Sequence, residues 1–94
     1  FPSYFEGAGI TLYEALASGC GLIQSRNAAL AATPETGIML DRVDTETLLA
    51  AMVEAISDRD RVEGWRAAAQ AEARNYSFAI YRRNISDLLD QLGI

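Results

Sequence analysis

Apolar positions recur at helical spacing in four stretches of the chain and run together in two short ones. Leu12, Ala15, Leu16 and Ala17 fit a short helix after a glycine-containing turn. Gly19 just beyond it supplies the left-handed residue that ends helices at low cost. "CGLIQS", Cys20 to Ser25, is an apolar run between turn formers and predicts a buried strand, as does "GIML", Gly37 to Leu40. Between them residues 26–34 are ambiguous; "NAALAA" is compatible with one or two helical turns closed at Thr33-Pro34.

From Asp44 onward the pattern is helical. Leu48, Leu49, Met52, Val53 and Ile56 recur at three- and four-residue steps behind an Asp44 or Thr45 cap. A second helix is expected from Asp60, with Glu63 as capping-box partner, through Trp65, Ala68, Ala69 and Ala73 to about Asn75. Ser77 caps a third, on which Tyr81, Ile85, Leu88 and Leu92 trace one apolar face before Gly93. Trp65, Tyr76, Phe78 and Tyr81 read as packing aromatics, and Cys20 as a small core residue.

Two short strands do not make a sheet covered on both faces. The expected architecture is therefore α/β: the helix-rich C-terminal portion of a Rossmann-like parallel-sheet domain, with earlier strands before Phe1. Residues 1–41 would hold the strand-and-helix part and 42–94 the C-terminal helices. The abrupt start at "FPSYFEG" reads as a cut edge. A sheet edge left open in this way is expected to promote self-association.

Composition narrows the function. The net charge is −5, and all eight basic residues are arginine, a balance that disfavours nucleic acid as a partner. No apolar run approaches the roughly 20 residues of a membrane span, and no basic-then-apolar leader is present. One cysteine and no histidine predict no disulfide, no zinc or copper site and a cytoplasmic setting.

Chemistry concentrates in "FEGAGITLYEALASG", Phe5 to Gly19. Gly7 and Gly9 flank Ala8 directly before a helix, where free N–H groups and the positive end of the helix dipole favour phosphate. Glu6 precedes the turn and Glu14 follows it, on what reads as the helix's first turn. A carboxylate accepts hydrogen bonds from two neighbouring hydroxyls, so this order suits a nucleotide sugar: hydroxyl acceptors on either side of phosphate donors. Each part also has a plainer reading. Thr11-x-x-Glu14 is a capping box, Glu6 a solvated loop acid, and the glycines turn residues.

The stretch "FPSYFEGAGITLYEALASG" resembles the E-x(7)-E signature of retaining glycosyltransferases with the two-domain GT-B fold. Pro2, Ser3, Glu6, Gly7, Gly9, Glu14, Ala15, Ala17 and Gly19 carry the likeness. "GLIQS", "TGIML", "DTETLLAAMVEAISD" and "RNYSFAIY" extend it over nearly the whole chain. Departures are Ala8, where an aromatic is usual, Gly21 in place of proline, and "NAALAATPE" in place of a glycine pair and acid.

The resemblance implies a donor-binding domain that transfers sugar from a nucleotide-diphospho-sugar to an acceptor hydroxyl, with retention and without metal or cofactor. Glu14 would hold the ribose. Glu6 would be the catalytic-site acid beside the transferred sugar. The N–H groups of Gly7, Ala8, Gly9 and Ile10, with Thr11, would meet sugar and diphosphate. The acceptor-binding N-terminal domain and a basic pair would lie upstream, and the last helix would cross toward that domain. The alternative is a non-catalytic α/β interaction domain that kept the fold and lost the donor site.

Overall fold

The computed structural model describes residues 1–5, 9–28 and 31–94. Helix α1 (Ile10–Ala17) leads to strand β1 (Leu22–Ser25) and strand β2 (Gly37–Leu40). Helices α2 (Thr45–Ser57), α3 (Arg59–Ala73) and α4 (Phe78–Gln91) follow, with a 3₁₀ turn Arg74–Tyr76 before the last. The architecture is thus α/β and mostly helical.

The two strands pair in parallel, Leu22 opposite Gly37 through Ser25 opposite Leu40. On the other edge of β1, the Phe1 nitrogen donates to Ile23 O at 2.7 Å, and Ser25 N–H donates to Phe1 O at 3.1 Å. That exchange across Gln24 is the slanted pattern of a parallel ladder. The backbone of Phe1 therefore lies along the edge of β1, parallel to it.

Local chemistry explains the element ends. Ser18 and Gly19 close α1 in a Schellman motif: Gly19 N–H bonds Leu16 O, Cys20 N–H bonds Ala15 O, and Gly19 has φ 78°. The same pair of bonds closes α4, through Gly93 to Asp90 and Ile94 to Leu89. Asp44 caps α2 by accepting from Thr47 N–H at 2.7 Å, and Ser77 caps α4 by accepting from Ile80 N–H. Those bonds from Thr47 hold the Asp44 carboxyl below the usual aspartate range.

Helix α3 corrects the expectation from sequence. It starts at Arg59, capped by Asp58 accepting from Arg61 N–H, rather than at Asp60 with Glu63 as partner. Asp58 ends α2 and begins α3, so one residue is the whole connection. The guanidinium of Arg61 reaches back to Glu54 and lies 5.0 Å over the Trp65 ring, tying the two helices together.

The core is small. Leu12, Leu16, Leu22, Leu40 and Trp65 are its large buried residues among those described, and the rest are alanines. Helix α3 packs on α1, with Ala69 in one buried cluster with Leu12 and Leu16, and lays Trp65 over Gly21. Gly21 makes this possible: a Cβ there would sit 2.8 Å from Trp65 Cε3, so the indole occupies the space that a side chain would fill. Gly64 faces open space on the same helix. Gly64→Ala is therefore expected to stabilise the chain by about 0.5–1 kcal/mol through helix propensity, read as a rise in the thermal midpoint.

Several expected core residues lie outside it. Cys20 is exposed. Tyr76, Phe78 and Tyr81 are all exposed, leaving Trp65 as the buried member of that aromatic group. The described part of residues 26–34 forms turns rather than helix. Helix α4 has no buried residue, and the apolar stripe of α2 points outward from Leu49 to Ile56. A compact chain of this length would have a radius of gyration of about 12 Å. The observed 15.4 Å, with extents of 50 × 28 × 17 Å, fits helices that add length without adding core. Among the described residues, no helix is long and apolar enough to cross a membrane.

Candidate functional site

The carboxyl ends of parallel strands are where α/β proteins place ligands, and three pieces of this chain meet that edge. The first is Phe1–Ser3, held against β1 by the ladder bonds above and by Ser25 Oγ, which donates to Ser3 O. Ser25 is buried, so this hydroxyl fixes where the chain leaves the sheet. The second is the start of α1. The third is a charge pair just beyond the strands: Arg26, following β1, lies 3.8 Å from Asp41, following β2, with both side chains largely in solvent.

At the start of α1, Gly9 is the N-cap, with φ 60° and ψ 47°. That is the left-handed region, open to glycine at little cost. Gly9 is buried, and Leu12 N–H bonds Gly9 O at 2.9 Å. Among the described residues, no side chain caps this helix. Helix geometry leaves the N–H groups of Ile10 and Thr11 without an intrahelical acceptor. Ile10, Thr11 and Glu14 are all exposed.

This geometry revises the plainer reading of Glu14. Gly9 is the cap and Thr11 the second helical residue, so Thr11 and Glu14 form no capping box. Glu14 is the fifth residue of α1, on its second turn rather than its first. No hydrogen bond or ion pair from the described residues reaches its carboxylate. The other candidates, Glu6, Gly7 and Ala8, lie outside the described residues.

Two residues that sequence reasoning passed over organise the edge. One is Ser25. The other is Gln24, fully buried, whose Oε1 accepts from Ala32 N–H at 2.7 Å while Nε2 donates to Ser25 O. The sequence signal was a lone amide inside an apolar run, a residue type that is buried only when its hydrogen bonds are met.

The hollows around the edge are modest. One of about 200 Å³ is lined by Pro2, Tyr4, Val43, Asp44, Thr45 and Leu48. It falls below the roughly 300 Å³ of small-molecule pockets. A roomier groove of about 690 Å³ runs between α2 and α3, beside Ala55, Ile56, Arg59, Val62 and Glu63. It has no part of the α1 start in its lining. Size alone therefore does not select the α1 edge; what distinguishes it is a helix start with N–H groups lacking an intrahelical acceptor and a Glu14 carboxylate without a partner among the described residues. The chain matches no family model and no curated protein.

Proposed function

We propose that residues 1–94 are the donor-binding portion of a retaining GT-B glycosyltransferase, a cytoplasmic enzyme that takes sugar from a nucleotide-diphospho-sugar without a metal. In this reading the N–H groups from Gly7 to Ile10, with Thr11, receive sugar and diphosphate. Glu6 faces the transferred sugar and Glu14 holds the ribose diol. Residues 1–41 carry the site and 42–94 buttress it. An upstream domain supplies the acceptor site and the cations that neutralise the diphosphate. Charge developing on the leaving diphosphate meets fixed donors at the start of α1, which lowers the barrier electrostatically.

The observation that carries the reading is Glu14. It is exposed near an N-terminus whose cap is backbone alone, and no partner from the described residues takes up its carboxylate. A ligand diol would satisfy it. The test is calorimetric titration of UDP-, ADP- and GDP-sugars into the longer enzyme that this reading implies. One of them is expected to bind, and Glu14→Ala to weaken it about tenfold, the value of a charge-assisted hydrogen bond. If none binds, or Glu14→Ala leaves nucleotide affinity unchanged, the reading fails.

A second reading is a non-catalytic α/β interaction domain. The apolar residues left in solvent on α2 and α4 favour it. Saturable binding of a sugar nucleotide that depends on Glu14 would exclude it.

A further inference from the structure

Phe1, Pro2 and Ser3 lead the chain off the sheet edge, and one side chain governs how they leave it. The ladder on this edge of β1 begins with the Phe1 nitrogen donating to Ile23 O and Ser25 N–H donating to Phe1 O. In a parallel ladder the next bond would run from Ser3 N–H to Ser25 O. That bond is not made, and Ser25 O accepts from Gln24 Nε2 instead. Ser3 is held through its carbonyl, which accepts from Ser25 Oγ. Among the described residues, no other hydrogen bond reaches residues 2–5, and Tyr4 and Phe5 are exposed. The next backbone anchor is Gly9, buried at the start of α1.

Ser25 is itself fixed. Its N–H and carbonyl are both engaged, and Gln24 beside it is held in turn by Ala32 N–H. At 1% exposure the residue has little access to water, which commits the hydroxyl proton to Ser3 O.

We propose that Ser25 is a positioning residue of the donor site: its hydroxyl anchors Ser3, three residues ahead of Glu6, and through Ser3 sets where Glu6 meets the transferred sugar. This role rests on the sugar-nucleotide reading above. Glu14 stands apart from it. Helix α1 carries Glu14 and is seated by Leu12 and Leu16 in the core and by the Gly19 motif at its end, none of which hangs on Ser3. Ser25 therefore separates the two acids. Losing its hydroxyl should disturb the sugar end of a bound donor and spare the ribose end.

Calorimetric titration of the longer enzyme tests this with two probes, the sugar nucleotide that binds and the corresponding nucleoside diphosphate. Ser25→Ala removes the hydroxyl and leaves the backbone bonds of residue 25 in place. It should weaken the sugar nucleotide about tenfold, the value of one charge-assisted hydrogen bond, and change the nucleoside diphosphate by less than about threefold. Glu14→Ala should weaken both. In a Glu6→Ala background, Ser25→Ala should cost nothing further, because the two changes remove the same contact.

A Ser25→Ala enzyme that binds the sugar nucleotide as the wild type does overturns the proposal. So do equal losses for the two probes, or losses that add to those of Glu6→Ala. A Ser25→Ala chain with no thermal transition overturns it as well, since the hydroxyl would then serve the fold rather than the site. Each of these results leaves the donor reading standing, whereas a wild type that binds none of the sugar nucleotides removes both.

Discussion

Gly37→Ala is expected to leave the chain unfolded where the wild type is folded. A Cβ on Gly37 would lie 1.9 Å from Leu22 O and 2.7 and 2.8 Å from Leu22 C and N. These are backbone atoms of the paired strand, so no rotamer change relieves the overlap. Gly37 has no positive φ, and the requirement is for space alone. Yielding would mean separating β1 from β2 at the register position Leu22–Gly37, next to the bonds Leu22 N–H to Thr36 O and Gly37 N–H to Thr33 O.

Overpacking that backbone must absorb belongs to the exceptional class of substitutions above about 4 kcal/mol. A chain of 94 residues has roughly 5–14 kcal/mol in total, and a core half made of alanine sits at the low end. The substitution should abolish the cooperative thermal transition and collapse amide dispersion in the NMR spectrum. Gly64→Ala, the same chemical change in open space, is the control for handling. A Gly37→Ala chain that melts like the wild type would mean that the strands do not pair in this register.

The contrast between these two glycines marks what a sequence can disclose. Local signals were legible: the helical step of α1 and its Gly19 stop, the Asp44 and Ser77 caps, and the apolar runs that became β1 and β2. Signals that depend on what lies across space were not. Nothing in "TGIML" says that Gly37 abuts Leu22, and nothing around Gly21 says that Trp65 lies over it. Periodicity identified the stripes of α2 and α4 but not their direction; in both the stripe points to solvent. Ser57, Asp58 and Asp60 are all capable caps, and the choice of Asp58 follows from one residue joining two helices. At the candidate site, the glycine turn and the two acids could be read directly. That Thr11 and Glu14 form no capping box required the position of the helix start. Residues 26–34 offered no single pattern, and the described ones among them form no helix: alanine propensity is worth only tenths of a kcal/mol, less than the buried hydrogen bond from Ala32 N–H to Gln24.

That hydrogen bond yields the second large effect. Gln24→Leu keeps the volume and removes the carboxamide, leaving the Ala32 N–H, taken up by Gln24 Oε1 at 2.7 Å, without its acceptor. Ser25 O also loses the Nε2 donor. Each buried group left unmet costs about 1–3 kcal/mol, so the pair sums to about 2–6 kcal/mol, a large part of the total. Urea unfolding should show the midpoint falling with an unchanged slope, since the surface exposed on unfolding is the same.

Gln24→Glu separates hydrogen bonding from shape by making the loss depend on pH. A neutral carboxyl can accept from Ala32 and donate to Ser25, as the amide does, whereas a carboxylate at a site with no solvent exposure loses the donor and its hydration. Burial therefore pushes the folded-state pKa above the unfolded value of about 4.3. Between those two values the folded chain binds more protons than the unfolded one. Stability relative to wild type should then be greatest below about pH 4 and fall by about 1.4 kcal/mol per pH unit until the folded pKa is passed. A Gln24→Glu chain whose difference from wild type is the same at low and neutral pH would show that residue 24 reaches solvent, and with it that Gln24 does not hold residues 31 and 32 against the sheet.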